Sequence, residues 1–220
     1  MLNEQIFILG QKTNALGFRL QVNKDWKSRW YSKDDYADLL LQDLKIRRFI
    51  EEKLRAAGVV SVLIERTAGD VVITLQVAKP GLIIGKGGER IEALKNEIRK
   101  YVGEVKLKLN VEQIKRSQLS ARLLAEEICQ QIEGRVPYKR AVNKVVAKAM
   151  ESKMVKGIKV ALSGRLGGVR IARTQKWSEG SVPLQTISAN IDYAHLVART
   201  KYGLLGVKIW LNLVPEESYA

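Results

Sequence analysis

AKPGLIIGKGGER, residues 78–90, follows the apolar residues Val71, Val72, Ile73, Leu75 and Val77 and precedes Ile91, Leu94 and Ile98 at helical spacing. The pattern predicts a buried strand, a glycine loop, and a helix that starts at about Glu89. Gly85, Lys86, Gly87 and Gly88 form a GXXG sequence within it. Glycines there permit positive φ and let a sugar-phosphate backbone approach the main chain with no Cβ in the way. Free N–H groups and the positive end of the following helix favour an anion, Lys86 supplies charge, and Arg90 joins the same candidate site. A glycine-rich turn that binds nothing is the alternative. A nucleotide-binding P-loop is excluded, because only Leu82, Ile83 and Ile84 separate Gly81 from Gly85, and Gly87 follows the lysine where Ser or Thr is required.

Working outward, residues 34–57 show a helical pattern in which Tyr36, Leu39, Leu40, Leu44, Arg47, Phe49, Ile50 and Leu54 form a mostly apolar stripe ended by Gly58. Val59 to Glu65 and Val71 to Val77 read as a hairpin, and Val105 to Val111 alternates apolar and polar residues as a further strand. Helix, strand, strand, glycine loop, helix, strand is the order of a type II KH domain, a nucleic-acid-binding module. Beyond Val111 the chain starts again. Helices are predicted over Leu119 to Ile132 and Tyr138 to Met154, then strands at Ile158 to Leu162, Val169 to Thr174, Thr186 to Ile191 and Val207 to Val214. The fold class is therefore α/β (α+β): an N-terminal arm (1–33), a type II KH domain (34–111), a second small α/β domain with two helices on a mixed sheet (112–214), and a short tail (215–220).

Composition narrows the partners. The 220 residues carry 38 basic and 23 acidic side chains, a formal net charge of +15. Between Gly134 and Trp210 there are 15 Lys and Arg against three acids, so this third of the chain holds +12 of the +15. Such concentrated charge points to a polyanion, and nucleic acid is the commonest. The single cysteine, Cys129, lies in an apolar helix pattern and reads as a buried structural thiol. His195 is the only histidine, so metal sites built on several His and Cys ligands are out. No apolar run approaches the ~18 residues of a membrane span, and Ile6 to Leu9 lacks the features of a secretory signal. An intracellular protein is expected.

Two further basic features stand out. Arg140, Lys144 and Lys148 repeat at i, i+4, i+8 with Lys139 beside them, opposite Val142, Val145, Val146, Ala149 and Met150. Only Glu151 interrupts that basic face, which predicts phosphate contacts. The stretch SGRLGGVRIAR, residues 163–173, reads as a tight hairpin from which Arg165, Arg170 and Arg173 project, suited to bidentate phosphate contacts or merely to solubility. Near the start, GQKTNALGFRL (10–20) reads as an extended arm with Lys12 and Arg19 as candidate RNA ligands. Trp26, Trp30 and Tyr31, interleaved with lysine and arginine, are able to stack on bases or to anchor a core edge.

These motifs taken together resemble the small-subunit ribosomal protein S three family of bacterial and organellar type. The resemblance runs from about Gly10 to Leu213 and rests on LGFRL, the spacing of Trp26, Ser28, Trp30 and Tyr31, PGLIIGKGG, GIKVALSGRLGG, EGSVPL, ANIDYA and YGLLGVKIW. It implies a structural protein of the subunit head, not an enzyme. Its implied partners are ribosomal RNA, messenger RNA in the channel where the message enters, and neighbouring ribosomal proteins, with no cofactor, membrane or small-molecule substrate. The family's duplex-opening bases match Lys139, Arg140 and Asn143 here. Asn143 departs from the base common at that position, and Lys144 beside it is able to compensate. Ala15, Gln21 and Ser188 are further departures, and Met1 to Leu9 precede the family's usual start. The resemblance implies a cytoplasmic ribosome, with an organellar one equally compatible. A KH-type transcription or RNA-maturation factor is the alternative; a nuclease or helicase lacks any Walker loop, metal cluster or paired nucleophile and base.

Overall fold

Two four-stranded sheets, each with its own apolar core, make up the protein in the computed structural model, which describes residues 12–67, 69–103, 105–114 and 119–214. In the first unit, helix α1 (Tyr36–Lys53) leads through Gly58, at φ +67°, into strands β2 (Val59–Arg66) and β3 (Asp70–Val77). The one-turn helix α2 (Gly81–Ile84), the glycine loop, α3 (Glu89–Val102) and β4 (Lys106–Gln113) follow. Strands β2 and β3 pair antiparallel and β3 and β4 parallel. A parallel pair needs a crossover, and α2, the loop and α3 provide it. The core is filled by Ile46 and Ile50 of α1, Ile64, Ile73 and Leu75 of the sheet, and Ile83, Leu94 and Ile98 of the crossover.

The second unit comprises α4 (Ala121–Glu133), α5 (Tyr138–Met150), β5 (Val155–Gly164), β6 (Arg173–Gly180), β7 (Asn190–Thr200) and β8 (Gly203–Leu213). Its strand order is β6-β5-β8-β7. Both helices pack on one face, where Leu124, Ile128, Val142 and Val145 meet Ile158, Val160, Val207 and Ile209. Cys129 is buried in this cluster, and burial pushes its thiol up to about 12.

The fold class is the one read from the sequence, with corrections. Every pairing in the second sheet is antiparallel, so it is not mixed. The strand expected at 169–174 begins at Arg173 and runs to Gly180, the one expected at 186–191 occupies 190–200, and α5 stops at Met150. The α1 stripe holds towards its C-terminal end, where Phe49, Ile50 and Leu54 join the core, but not before it: Asp43 and Ile46 face inward, while Tyr36, Leu40, Leu41 and Leu44 are exposed. Finally, the N-terminal segment is not an extended arm. A 3-10 turn spans Gly17–Arg19, and the short strand β1 (Ser28–Arg29) joins β2 in parallel.

Asp43, 1% exposed, holds that strand in place. Its carboxylate accepts hydrogen bonds from Ser28 Oγ (3.1 Å), Trp30 Nε1 (2.8 Å) and Arg66 Nε and Nη2 (2.9 and 2.6 Å). A buried carboxylate persists only when paired and hydrogen-bonded in this way. The units are tied together by Arg122 to Glu51 at 3.0 Å and by Arg55 to Glu133 at 3.5 Å.

Candidate nucleic-acid interface

The glycine loop is set up by its flanks. Ile83 is buried, so α2 is pinned to the core, and Gly85 ends it at φ +70°, ψ −174°, a conformation closed to other residues. A Cβ on Gly85 would lie 2.8 Å from Cγ of Arg90. A turn at Lys86–Gly88 then delivers the chain to α3 through Gly88, also left-handed. Arg90 folds back so that Nη1 donates to the Leu82 carbonyl at 3.4 Å. With Gly81, Gly85 and Glu89 it borders a shallow recess of about 500 Å³. Leu82 and Ile84 are exposed beside it. A one-turn helix necessarily turns some of its residues outward.

On α5, Ala141, Val142, Val145, Val146 and Ala149 are buried, which leaves Lys139, Arg140, Asn143 and Lys144 on the solvent side. Lys148 is different: its Nζ meets Glu127 of α4 at 2.7 Å. The expectation that this face lacks acidic partners is therefore corrected at Lys148, because the partner comes from the neighbouring helix and not from α5's own sequence. Tyr138, the first residue of α5, stacks edge-on against Trp177 at 6.2 Å and accepts a hydrogen bond from Arg173 Nη2 at 3.4 Å. The β5–β6 connection thus abuts the start of the basic helix, with Arg170 exposed on the loop and Arg173 exposed at the first position of β6.

Arg165 does not project from that loop. Its guanidinium donates to the carbonyls of Val169 (2.9 Å), Tyr202 (3.2 Å) and Gly168 (3.5 Å) and lies over the Tyr202 ring. Eight residues of loop, 165–172, need an internal brace, and Arg165 is that brace.

The largest correction concerns Arg19, which is fully buried. It donates to the carbonyls of Ala189 (2.8 Å), Ala15 (3.0 Å), Pro183 (3.4 Å), Leu184 (3.0 Å) and Thr186 (2.7 Å). All three guanidinium nitrogens are engaged by backbone carbonyls. Lys12 is exposed on the same segment. Of the early aromatics, Trp26 and Tyr31 are exposed, whereas Trp30 is held by Asp43. A cleft of about 990 Å³ separates the units and is lined by Lys27, Arg47, Arg122 and Asp192 among others. The pKa of Lys27 is lowered there by desolvation and then by its neighbours Arg122 and Arg47. Among the described residues no group of three or more His, Cys, Asp or Glu is arranged to hold a metal, and no helix is long and apolar enough to cross a membrane.

Residues 45–119 match the KH domain family and residues 128–211 match the family described as ribosomal protein S3, C-terminal domain. The chain is 49% identical over 203 residues to the small ribosomal subunit protein uS3 of Exiguobacterium sp., covering 92% of each chain. It is 47% identical over 205 residues to uS3 of Caldanaerobacter subterraneus subsp. tengcongensis, covering 93% of this chain and 92% of that one. It is likewise 47% identical over 203 residues to uS3 of Bacillus anthracis, covering 92% of each.

Proposed function

The chain belongs to the uS3 family of small ribosomal subunit proteins, and from that premise we propose that the outer face of α5 lines the path by which messenger RNA enters the subunit. The family is one of structural proteins and not of enzymes. One observation carries the finer reading: Lys139, Arg140 and Lys144 share the solvent side of one helix, and of the described basic residues on α5 only Lys148 meets a carboxylate. Cations fixed on a rigid helix read phosphate positions and carry no base preference. Asn143 contributes a hydrogen-bonding group without charge. Arg170 and Arg173 extend this surface from the β5–β6 connection.

The glycine loop, with Gly85, Lys86, Gly87, Gly88 and Arg90, serves as a separate grip on ribosomal RNA, and Lys12 adds a contact from the N-terminal segment. The two cores support a KH domain over 34–111 and a second domain over 112–214. The bacterial relatives favour a cytoplasmic ribosome. On this reading the protein is a passive wedge: translocation pulls the message, and α5 keeps separated strands apart.

The test uses small subunits that carry the chain with Lys139→Ala, Arg140→Ala and Lys144→Ala together. Translation through a messenger hairpin is expected to slow several-fold relative to wild type, while an unstructured message is read at the wild-type rate. Equal rates on the hairpin would refute the role.

A further inference from the structure

Helices α4 and α5 cover one face of the second sheet; among the described residues no helix lies on the opposite face. Strand register fixes what that face displays, because residues opposite one another across a ladder project to the same side. Val160, Ile209 and Ala194 are mutually opposite and belong to the core. The adjacent row must therefore point away: Ser178, Lys159, Trp210 and Tyr193. The next outward row is Lys176, Ala161, Lys208 and His195.

These two rows hold three lysines, one histidine and two aromatics, and no acid. The Tyr193 and Trp210 rings lie 5.4 Å apart, and Lys159 Nζ sits 5.9 Å from the Trp210 ring centre. Lys176, Lys208 and His195 are exposed. Two lysines elsewhere in the chain are neutralised, Lys108 by Asp70 and Lys148 by Glu127. On this face the opposite holds, since the pKa of Lys159 is lowered by desolvation and then by the like charges of Lys12 and Lys176. Among the described residues only the N-terminal segment and the 181–189 loop cover the sheet's far end, where Ile191 and Asn212 are buried. An acid-free row of cations beside paired aromatics suits a chain of phosphates and unstacked bases.

We propose that this sheet face is a second RNA-binding surface, which takes a single-stranded segment by stacking bases on Trp210 and Tyr193 and neutralising phosphates with Lys159, Lys176 and Lys208. It rests on the RNA-binding reading of the chain but uses none of the residues of α5 or the glycine loop. A protein partner suits the face less well, because it offers little aliphatic area and no carboxylate to pair with a basic neighbour.

The experiment uses the purified full-length chain and a fluorescein-labelled twelve-nucleotide oligouridylate, titrated by anisotropy over a salt series. A 4-thiouridine version of the probe is photo-crosslinked and the attached peptides are mapped. Lys176→Gln with Lys208→Gln should lower the log-log salt slope by about 1.4, at roughly 0.7 per phosphate contact on a single strand. Trp210→Leu should weaken binding about tenfold, and crosslinks should fall on peptides containing Tyr193 or Trp210. A wild-type slope for the double lysine variant, together with no crosslink on these strands, overturns the proposal. The lysines are exposed, so that variant decides the matter even if Trp210→Leu unfolds. Lys139→Ala with Arg140→Ala is measured in parallel. A loss in that variant alone removes the sheet face and leaves the α5 reading intact; losses in both establish two surfaces.

Discussion

Arg19 Nε donates to the carbonyl oxygen of Ala189 at 2.8 Å across 170 residues of sequence. The same guanidinium satisfies four further carbonyls, so it acts as a rivet between the N-terminal segment and the 183–189 loop. Removing it would leave those partly buried carbonyls without their donor, which costs more than the loss of a surface charge. Arg19→Gln is therefore expected to lower stability by about 3 kcal/mol, read as a lower urea midpoint at unchanged m. The salt slope of RNA binding should stay at its wild-type value. A reduced slope with an unshifted midpoint would restore Arg19 to the phosphate contacts.

Gly85 and Gly87 make different demands although both have positive φ. At Gly85 (φ +70°, ψ −174°) a Cβ would meet Arg90, whereas at Gly87 (φ +63°, ψ +8°) nothing lies within 4 Å. The second is an ordinary left-handed conformation that an alanine enters at about 1 kcal/mol; the first is a glycine-only region costing up to about 3 kcal/mol. Gly85→Ala should thus lower the thermal midpoint more than Gly87→Ala. Equal shifts in calorimetry would contradict this account of the loop.

What the sequence revealed and what it hid divide along physical lines. The glycine loop, α3 and β3 were legible because local periodicity and tertiary burial agree there: Ile83, Leu94 and Ile98 are buried as their spacing demands. In α1 the two conflict. Leucines at 40, 41 and 44 outweigh Ile46 and Ile50 in any hydrophobic count, yet the pair of isoleucines faces the core. β6 is an edge strand whose only large apolar side chain is Trp177, so it offers no alternation to read. Arg19, Arg165 and Lys148 look alike in sequence as surface cations. Their partners, the carbonyls at 183–189, Tyr202 and Glu127, come from elsewhere in the chain.

Cys129 links the core to pH. Its folded-state pKa is raised from 9.0 to about 12, chiefly by desolvation, with the charge of Glu133 adding to it. A raised pKa means the folded protein keeps a proton that the unfolded chain releases. The thiol's contribution is complete below pH 9 and is lost as pH rises from about 9 to about 12. The stability difference between wild type and Cys129→Ala should consequently shrink by about 1.4 kcal/mol between pH 7 and pH 10, since at pH 10 the unfolded thiol is largely ionised. Urea titrations of both proteins at the two pH values check this. A difference that does not change would mean that the thiol titrates at its ordinary value.

Lys144 and Lys148 are one helical turn apart on α5, but only Lys148 has a carboxylate, Glu127, at 2.7 Å. A phosphate approaching Lys148 would have to displace that ion pair and leave Glu127 facing the RNA. Approaching Lys144, it meets a hydrated ammonium with no competitor. Release of condensed counterions scales with phosphates actually neutralised, at roughly 0.7 per contact on a single strand. Lys144→Gln should reduce the salt slope of single-strand binding by about that amount at unchanged stability. Lys148→Gln should leave the slope unchanged and cost at most about 1 kcal/mol of stability, the range of a partly exposed ion pair. Adding Glu127→Gln to the wild type then frees Lys148, and the slope should rise by about 0.7. A slope that rises in that variant while Lys148→Gln has none of its own would show that Glu127 masks Lys148. Equal slope losses for Lys144→Gln and Lys148→Gln would show that the ion pair opens on binding and that the whole row contacts RNA.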